Sequence, residues 1–283
     1  MANELKNKRI ITVATTGAWP KKENNPNVPT QPAEIAEEIY NCWKIGAAVA
    51  HVHVRDENDN DSMKVETFKA VLDNLFGKHP ECDIVINLTA AGGIANTEEM
   101  RMAPFKQLKP EMASFDCGTM NWMHMGVFNN NPAFLKTMGK EMQAAGVKPE
   151  IEVFDPGMIS DAAYYLKTGV LVAPLHFQFC MGCAGGIQAT AENLIFMKNT
   201  LERTVPGSTW SAFGVGKGAM EIMYTAIATG GHIRVGMEDN VMYGKGQLAE
   251  SNMQLIARAR RVIEEFGLEV ATPDEARQIL GLK

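Results

Sequence analysis

The chain is short of the features that mark several large classes of protein. Its 283 residues contain no apolar run of about 18 residues or more, so no membrane-spanning helix is expected. Positive charge is not in excess: 27 Lys and Arg stand against 33 Asp and Glu, a net charge of −6. That balance argues against nucleic acid as a partner, because phosphate contacts need a basic surface. Cysteines number five, an odd count in a long chain, which reads as reduced thiols rather than a disulfide framework and points to the cytoplasm. Cys180 and Cys183 form a lone C-x-x-C with no second pair. The start, Met1 to Arg9, has no long apolar signal region. No G-x-S-x-G is present and Ser211 lies mid-strand, so no nucleophilic triad emerges. There is no Walker spacing.

What is present is a regular alternation over a globular composition, 46% hydrophobic and 21% charged, that can bury a sizeable core. β-Branched and apolar runs predict strands over 9–16, 47–54, 83–89, 112–116, 150–154, 170–179, 209–215 and 232–237. Helical stretches follow each, the first opened by Thr30-Gln31-Pro32 and the last long one covering 252–266. A short helix at 273–280 closes the chain under a Thr272 cap. Eight evenly spaced β-α units without a linker predict a (β/α)8 TIM barrel, one domain over 1–283. A doubly wound sheet is the runner-up, disfavoured by the lack of Gly-x-Gly-x-x-Gly after the first strand.

In such a barrel the reactive groups gather at the carboxyl ends of the strands. The second strand ends in His51-Val52-His53-Val54-Arg55-Asp56. Residues two apart on a strand share a face, so both imidazoles converge on one spot, as a metal requires. Strand eight carries Arg234 and ends in Glu238-Asp239-Asn240. Two histidines and a glutamate with an open position make a catalytic zinc set, which gives His51, His53 and Glu238. Asp239, Arg234 and a strand-five glutamate, Glu150 or Glu152, can form a charged network that holds or moves a proton. After strand seven, Phe213-Gly214-Val215-Gly216-Lys217-Gly218 lies where barrels grip phosphate, though a plain tight turn fits it equally. His176 could reach the site from strand six but reads better as a satisfied core histidine.

Several segments in order resemble one family. They are Thr15-Thr16-Gly17-Ala18, His51 to Asp56, Pro110 to Ser114, Gly118-Thr119-Met120-Asn121, Pro149 to Phe154, Gly230 to Asn240 and the tail Ala271 to Leu280. Together they are similar to the β-keto acid cleavage enzymes, typified by 3-keto-5-aminohexanoate cleavage enzyme. The resemblance implies a zinc-dependent barrel, a homotetramer, that condenses a β-keto acid with acetyl-CoA and releases acetoacetate and a new acyl-CoA without a redox cofactor. It places the zinc ligands on His51, His53 and Glu238 and the acid/base pair on Asp239 and Arg234, assisted by Glu150. Substrate contacts fall on Trp19, Asn87 and Thr119, and coenzyme A contacts on Gly216 and Lys217.

In the aminohexanoate enzyme a glutamate shortly after the strand-one segment meets the substrate ammonium, and here that place falls on Trp19. An apolar arm, or a quaternary ammonium held by a cation–π contact, fits an indole better. Asn87 stands where that enzyme has a serine. A metal-dependent hydrolase or aldolase-type lyase on the same barrel, and a non-catalytic metabolite-binding barrel, are the rival readings. The amidohydrolase form wants its H-x-H on strand one and a histidine on strand five, and strand five here has none.

Overall fold

The computed structural model describes residues 5–282; the ends of the expected 1–283 unit, residues 1–4 and 283, lie outside the described residues. Eight parallel strands close into the expected barrel. They are β1 (Ile11–Ala14), β2 (Val49–Val52), β3 (Val85–Leu88), β4 (Met112–Asp116), β5 (Lys148–Val153), β6 (His176–Met181), β7 (Thr209–Gly214) and β8 (His232–Val235). Each pairs with the next in sequence, and β8 returns to β1 with Arg234 opposite Thr12. Between them run α1 (Pro32–Lys44), α2 (Val65–Lys78), α3 (Glu98–Leu108), α4 (Pro132–Ala145), α5 (Pro156–Lys167), α6 (Ala191–Thr204) and α7 (Ala219–Ala228). The last two helices are α8 (Asn252–Glu265) and α9 (Pro273–Leu280).

Helix starts follow local chemistry. At α1 the Glu34 carboxylate accepts the amides of Thr30 (2.9 Å) and Gln31 (3.2 Å), ahead of Pro32 in the first turn. Thr272 and Glu275 cap α9 reciprocally. The main apolar core lies between the barrel wall and the helices: Val52, Leu88, Phe115, Ile151 and Phe177 pack with Ile35, Phe68, Phe105 and Phe134. A second cluster plugs the amino-terminal end of the barrel, where Ala276 and Leu280 of α9 meet Ile10, Val49, Val85 and Met112. Lys8–Arg9 adds a parallel pairing with Glu269–Val270 at the same end.

The strand expected over 170–179 begins only at His176. The Val170 and Leu171 amides both turn back to the Tyr165 carbonyl to end α5, and Pro174 has no N–H to offer a ladder. Small hairpins sit at the opposite, carboxyl-terminal end. Val54–Arg55 pairs with Asp61–Ser62, Met120–Trp122 with Gly126–Phe128, and Met242–Gly244 with Gln247–Leu248.

Candidate active site

The carboxyl ends of the strands enclose a cavity of about 280 Å³. Its floor is charged. His51 is on β2, and His53 follows just past the strand end. Their Nε2 atoms lie 3.6 Å and 3.5 Å from the same Glu238 oxygen. Glu238 reaches them because the backbone comes very close to strand one. Gly236 has φ +154°, and a Cβ there would fall 1.9 Å from the Ala14 carbonyl oxygen. Gly17, with φ +66°, faces Glu238 itself, and a Cβ would sit 2.5 Å from the Glu238 Cγ. Only glycine meets both demands.

Arg234 of β8 organises the acids. Its Nε and Nη2 donate to the two Asp239 oxygens at 3.0 Å and 2.8 Å. Nη2 also pairs with Glu238. Nη1 lies 3.6 Å from Glu152, and the guanidinium stacks 4.3 Å over the Phe213 ring. Burial alone would raise the Glu238 carboxyl, but Arg234 and the two histidines outweigh it and hold it at about 2. Asp239 goes the other way. Burial lifts it to about 6, with Glu238 adding to the rise and Arg234 opposing it. His51 is pushed well below its usual range by burial and by the Arg234 charge, so its imidazole is neutral.

These groups fit a metal. The donor atoms of His51, His53 and Glu238 all lie within 4.8 Å of one another. His51 Nδ1, His53 Nδ1 and Glu238 Oε2 are buried with no hydrogen-bond partner, a cost that a bound cation and a tightened outer shell remove. A second set, His51, Glu150 and Glu152, also satisfies the spacing. Burial raises Glu150 to about 7 and Glu152 well above the carboxylate range, and Glu150 already accepts the Asn87 side chain at 2.6 Å.

Of the residues singled out from sequence, His51, His53, Glu238, Asp239, Arg234 and Trp19 all line this cavity. Glu150 lies off its wall, with Oε2 3.9 Å from His51 Nδ1. Asn87 is fully buried and donates to that same Glu150 oxygen at 2.6 Å. Glu152 is the strand-five glutamate that faces the cavity. Thr119 is exposed and away from the wall; its hydroxyl accepts the Asn130 amide at 2.9 Å. Gly216 lines an adjoining open cleft of about 410 Å³ together with Trp19 and Asp239, while Lys217 stands exposed on the Gly216–Gly218 turn.

Three features escaped the sequence reading. Asp116 ends β4 opposite Glu152 in register and reaches the cavity floor. Asp61 stands behind His53. The hairpin after β4 supplies Trp122, Met123 and Phe128 to the wall. Only Asp116 left a trace, as the charged end of an apolar strand.

An eight-stranded parallel barrel with histidines, carboxylates and one arginine joined at the carboxyl ends of its strands has the form of a TIM-barrel enzyme. A model of the beta-keto acid cleavage enzyme family matches residues 8–282, and the chain belongs to that family. It is 43% identical over 276 residues to a 3-keto-5-aminohexanoate cleavage enzyme of Fusobacterium nucleatum, covering 98% of each chain. It is 35% identical over 273 residues to a 3-oxoadipate:acetyl-CoA acetyltransferase of Cupriavidus necator, covering 96% of this chain and 94% of that one. Among solved structures, ObcA in complex with oxaloacetate superposes with a TM-score of 0.81 over 91% of this chain and 68% of that chain. At 19% identity that likeness concerns the fold alone.

Proposed function

We propose that this protein condenses a β-keto acid with acetyl-CoA, releases acetoacetate and forms a new acyl-CoA, with zinc held by His51, His53 and Glu238. The observation that carries the reading is the convergence of both imidazoles on Glu238 beside the Arg234–Asp239 pair. A zinc ion in that set supplies Lewis-acid polarisation of the β-keto acid oxygens. Asp239, placed between Arg234 and the cavity, takes the C2 proton, and Arg234 keeps its carboxylate in position as the proton arrives. The carbanion attacks the acetyl thioester carbonyl and coenzyme A leaves as thiolate. The thiolate then adds to the far keto carbonyl, and that C–C bond breaks. The acyl group departs on coenzyme A, and the proton returns to the acetoacetate carbon.

Glu150, itself held by Asn87, stands 3.9 Å behind His51 Nδ1 and assists the Asp239–Arg234 pair. Thr119 steadies the hairpin of the wall through Asn130. Trp19 meets the acyl arm. Gly216 and Lys217 lie on the side where coenzyme A would enter, and the exposed lysine offers charge to its phosphates. We place the enzyme in the reducing cytoplasm, in keeping with its five free cysteines. No helix of the described residues is long and apolar enough to cross a membrane. We propose that the chain assembles as a homotetramer, which light scattering on the purified protein checks.

The test is acetoacetate release from a panel of β-keto acids by zinc-loaded protein. Release that needs both acetyl-CoA and zinc, and that disappears in His51→Ala, supports the reading. Hydrolysis without coenzyme A transfers it to a metal hydrolase, and metal binding without turnover to a binding barrel.

A further inference from the structure

The floor and the wall of the cavity differ in character. Every charged side chain among the described residues lining it belongs to the linked histidine, arginine and carboxylate cluster. The wall above comes from the loops after β1, β3, β4 and β5: Trp19, Ile94, Trp122, Met123, Phe128 and Phe154. Trp19, Ile94 and Met123 are 42%, 43% and 39% exposed, so apolar surface already faces water at the mouth. The hairpin touches the loop after β3. A Cβ at Gly126 would fall 2.8 Å from the Ile94 Cδ1.

We infer that the acyl arm of the β-keto acid used by this chain is uncharged and apolar, an alkyl or aryl group. The inference rests on the reaction proposed above and concerns only what its substrate carries beyond the keto group. Covering the wall with an apolar arm removes hydrocarbon from water on both sides. An ammonium or a second carboxylate on that arm would lose its hydration against a wall that carries no charged side chain and whose side-chain hydrogen-bonding groups, among the six residues named, are the two indole N–H donors. The carboxylates gather on the floor, at the reacting end of the substrate and away from the wall: Arg234 holds Glu238 and Asp239, while Asp116 and Glu152 each keep a buried oxygen without a hydrogen-bond partner there. A quaternary ammonium would need free aromatic faces around it. Trp122 packs edge to face against Phe128 (5.7 Å) and Phe154 (5.9 Å) in a closed aromatic cluster, so of the two wall indoles Trp19 alone keeps an open face, one ring where a cage needs several.

Trp19 is the specificity-determining residue of this wall. It is the large side chain next to Gly17 and Ala18, the segment that packs against Glu238, and it borders both the cavity and the adjoining open cleft.

The test uses the full zinc-loaded chain and acetyl-CoA. Acyl-CoA formation is followed from 3-oxohexanoate and 3-oxo-5-methylhexanoate, and from 3-keto-5-aminohexanoate, 3-oxoadipate and dehydrocarnitine. The apolar acids are expected to lead in kcat/KM by roughly 100-fold. A charged acid equal to or better than the apolar ones overturns the inference. Quenching of tryptophan fluorescence by the same acids without acetyl-CoA gives an independent order of binding. If no acid is turned over, the reaction reading fails, and the quenching order still decides the wall: tighter binding of the apolar acids upholds the inference, and tighter binding of a charged acid or equal binding of all overturns it. Trp19→Glu is expected to shift the preference toward the amino acid substrate with zinc content unchanged. A preference unmoved by that change also overturns it.

Discussion

Asp61 stands 3.9 Å behind the Nδ1 of His53, and its other oxygen takes the Gly93 amide at 2.6 Å and the Asn96 side chain at 3.1 Å. It is therefore a carboxylate at the back of a proposed zinc ligand and, at the same time, the tie for the loop after β3. Such partners fix a ligating imidazole's orientation and raise its basicity. Asp61→Asn is expected to weaken zinc binding by about 10- to 100-fold. Competition with a metallochromic chelator measures it, and unchanged affinity would remove Asp61 from the site.

Asp239 is expected to matter for turnover and not for metal. Asp239→Asn keeps a side chain of the same shape beside Arg234 but cannot take a proton. Activity should fall by roughly 100- to 10,000-fold while zinc content by atomic absorption stays at the wild-type level. Near-normal turnover would move the base elsewhere, with Glu152 the next candidate on the cavity floor.

Gly17→Ala puts a methyl group where Glu238 now lies and forces a positive φ on an alanine. The strain costs about 1–3 kcal/mol, and Glu238 must move. Both the urea midpoint and the zinc content should drop. Wild-type occupancy in this variant would show that Glu238 does not need its present position.

Acid stability should depend on His232. Burial, with a further push from Arg9, holds this imidazole at about 3 against an ordinary 6.5, and its Nδ1 accepts the Ile10 amide at 3.1 Å. The unfolded chain therefore binds a proton that the folded one refuses between those two values. The stabilisation is complete above pH 6.5 and is lost as pH falls toward 3, at about 1.4 kcal/mol per unit. Urea titrations from neutral pH downward should show a shallower loss in His232→Asn than in the wild type. Parallel curves would exclude this histidine as the acid sensor.

Removing metal should lower thermal stability, because the buried imidazole and carboxylate groups lose their common partner. Chelator treatment is expected to shift Tm down by several degrees, with recovery on adding zinc. A Tm indifferent to chelation and to zinc would argue that no cation sits among these side chains.

The barrel was legible because each β-branched run ends in a polar loop before a helical period begins, and the H-x-H pair and Glu238-Asp239 fall at two such ends. What was not legible depends on neighbours distant in the chain. Asn87 and Glu150 read as groups facing the cavity, since alternation tells the face of a strand and not the depth; their mutual hydrogen bond leaves them off the wall. Asp61 acquires meaning only when Val54–Arg55 folds back on Asp61–Ser62. The Trp122 hairpin has strands of three residues, too short for a period to show. Strand six read too long because Val170 and Leu171 are apolar for another reason, being buried beside the end of α5.

The division between a strand-borne floor and a loop-borne wall bears on how this chain can change over evolutionary time. The groups proposed for bond making sit at strand ends or within a few residues of them, where a shift of one residue would turn each away. The side chains that face the acyl arm lie mostly on loops and a small hairpin, which tolerate exchange and insertion. New substrates can therefore be acquired by altering a handful of loop and hairpin positions while the reaction is inherited intact. Relatives that share this scaffold can diverge in diet without reinventing their chemistry.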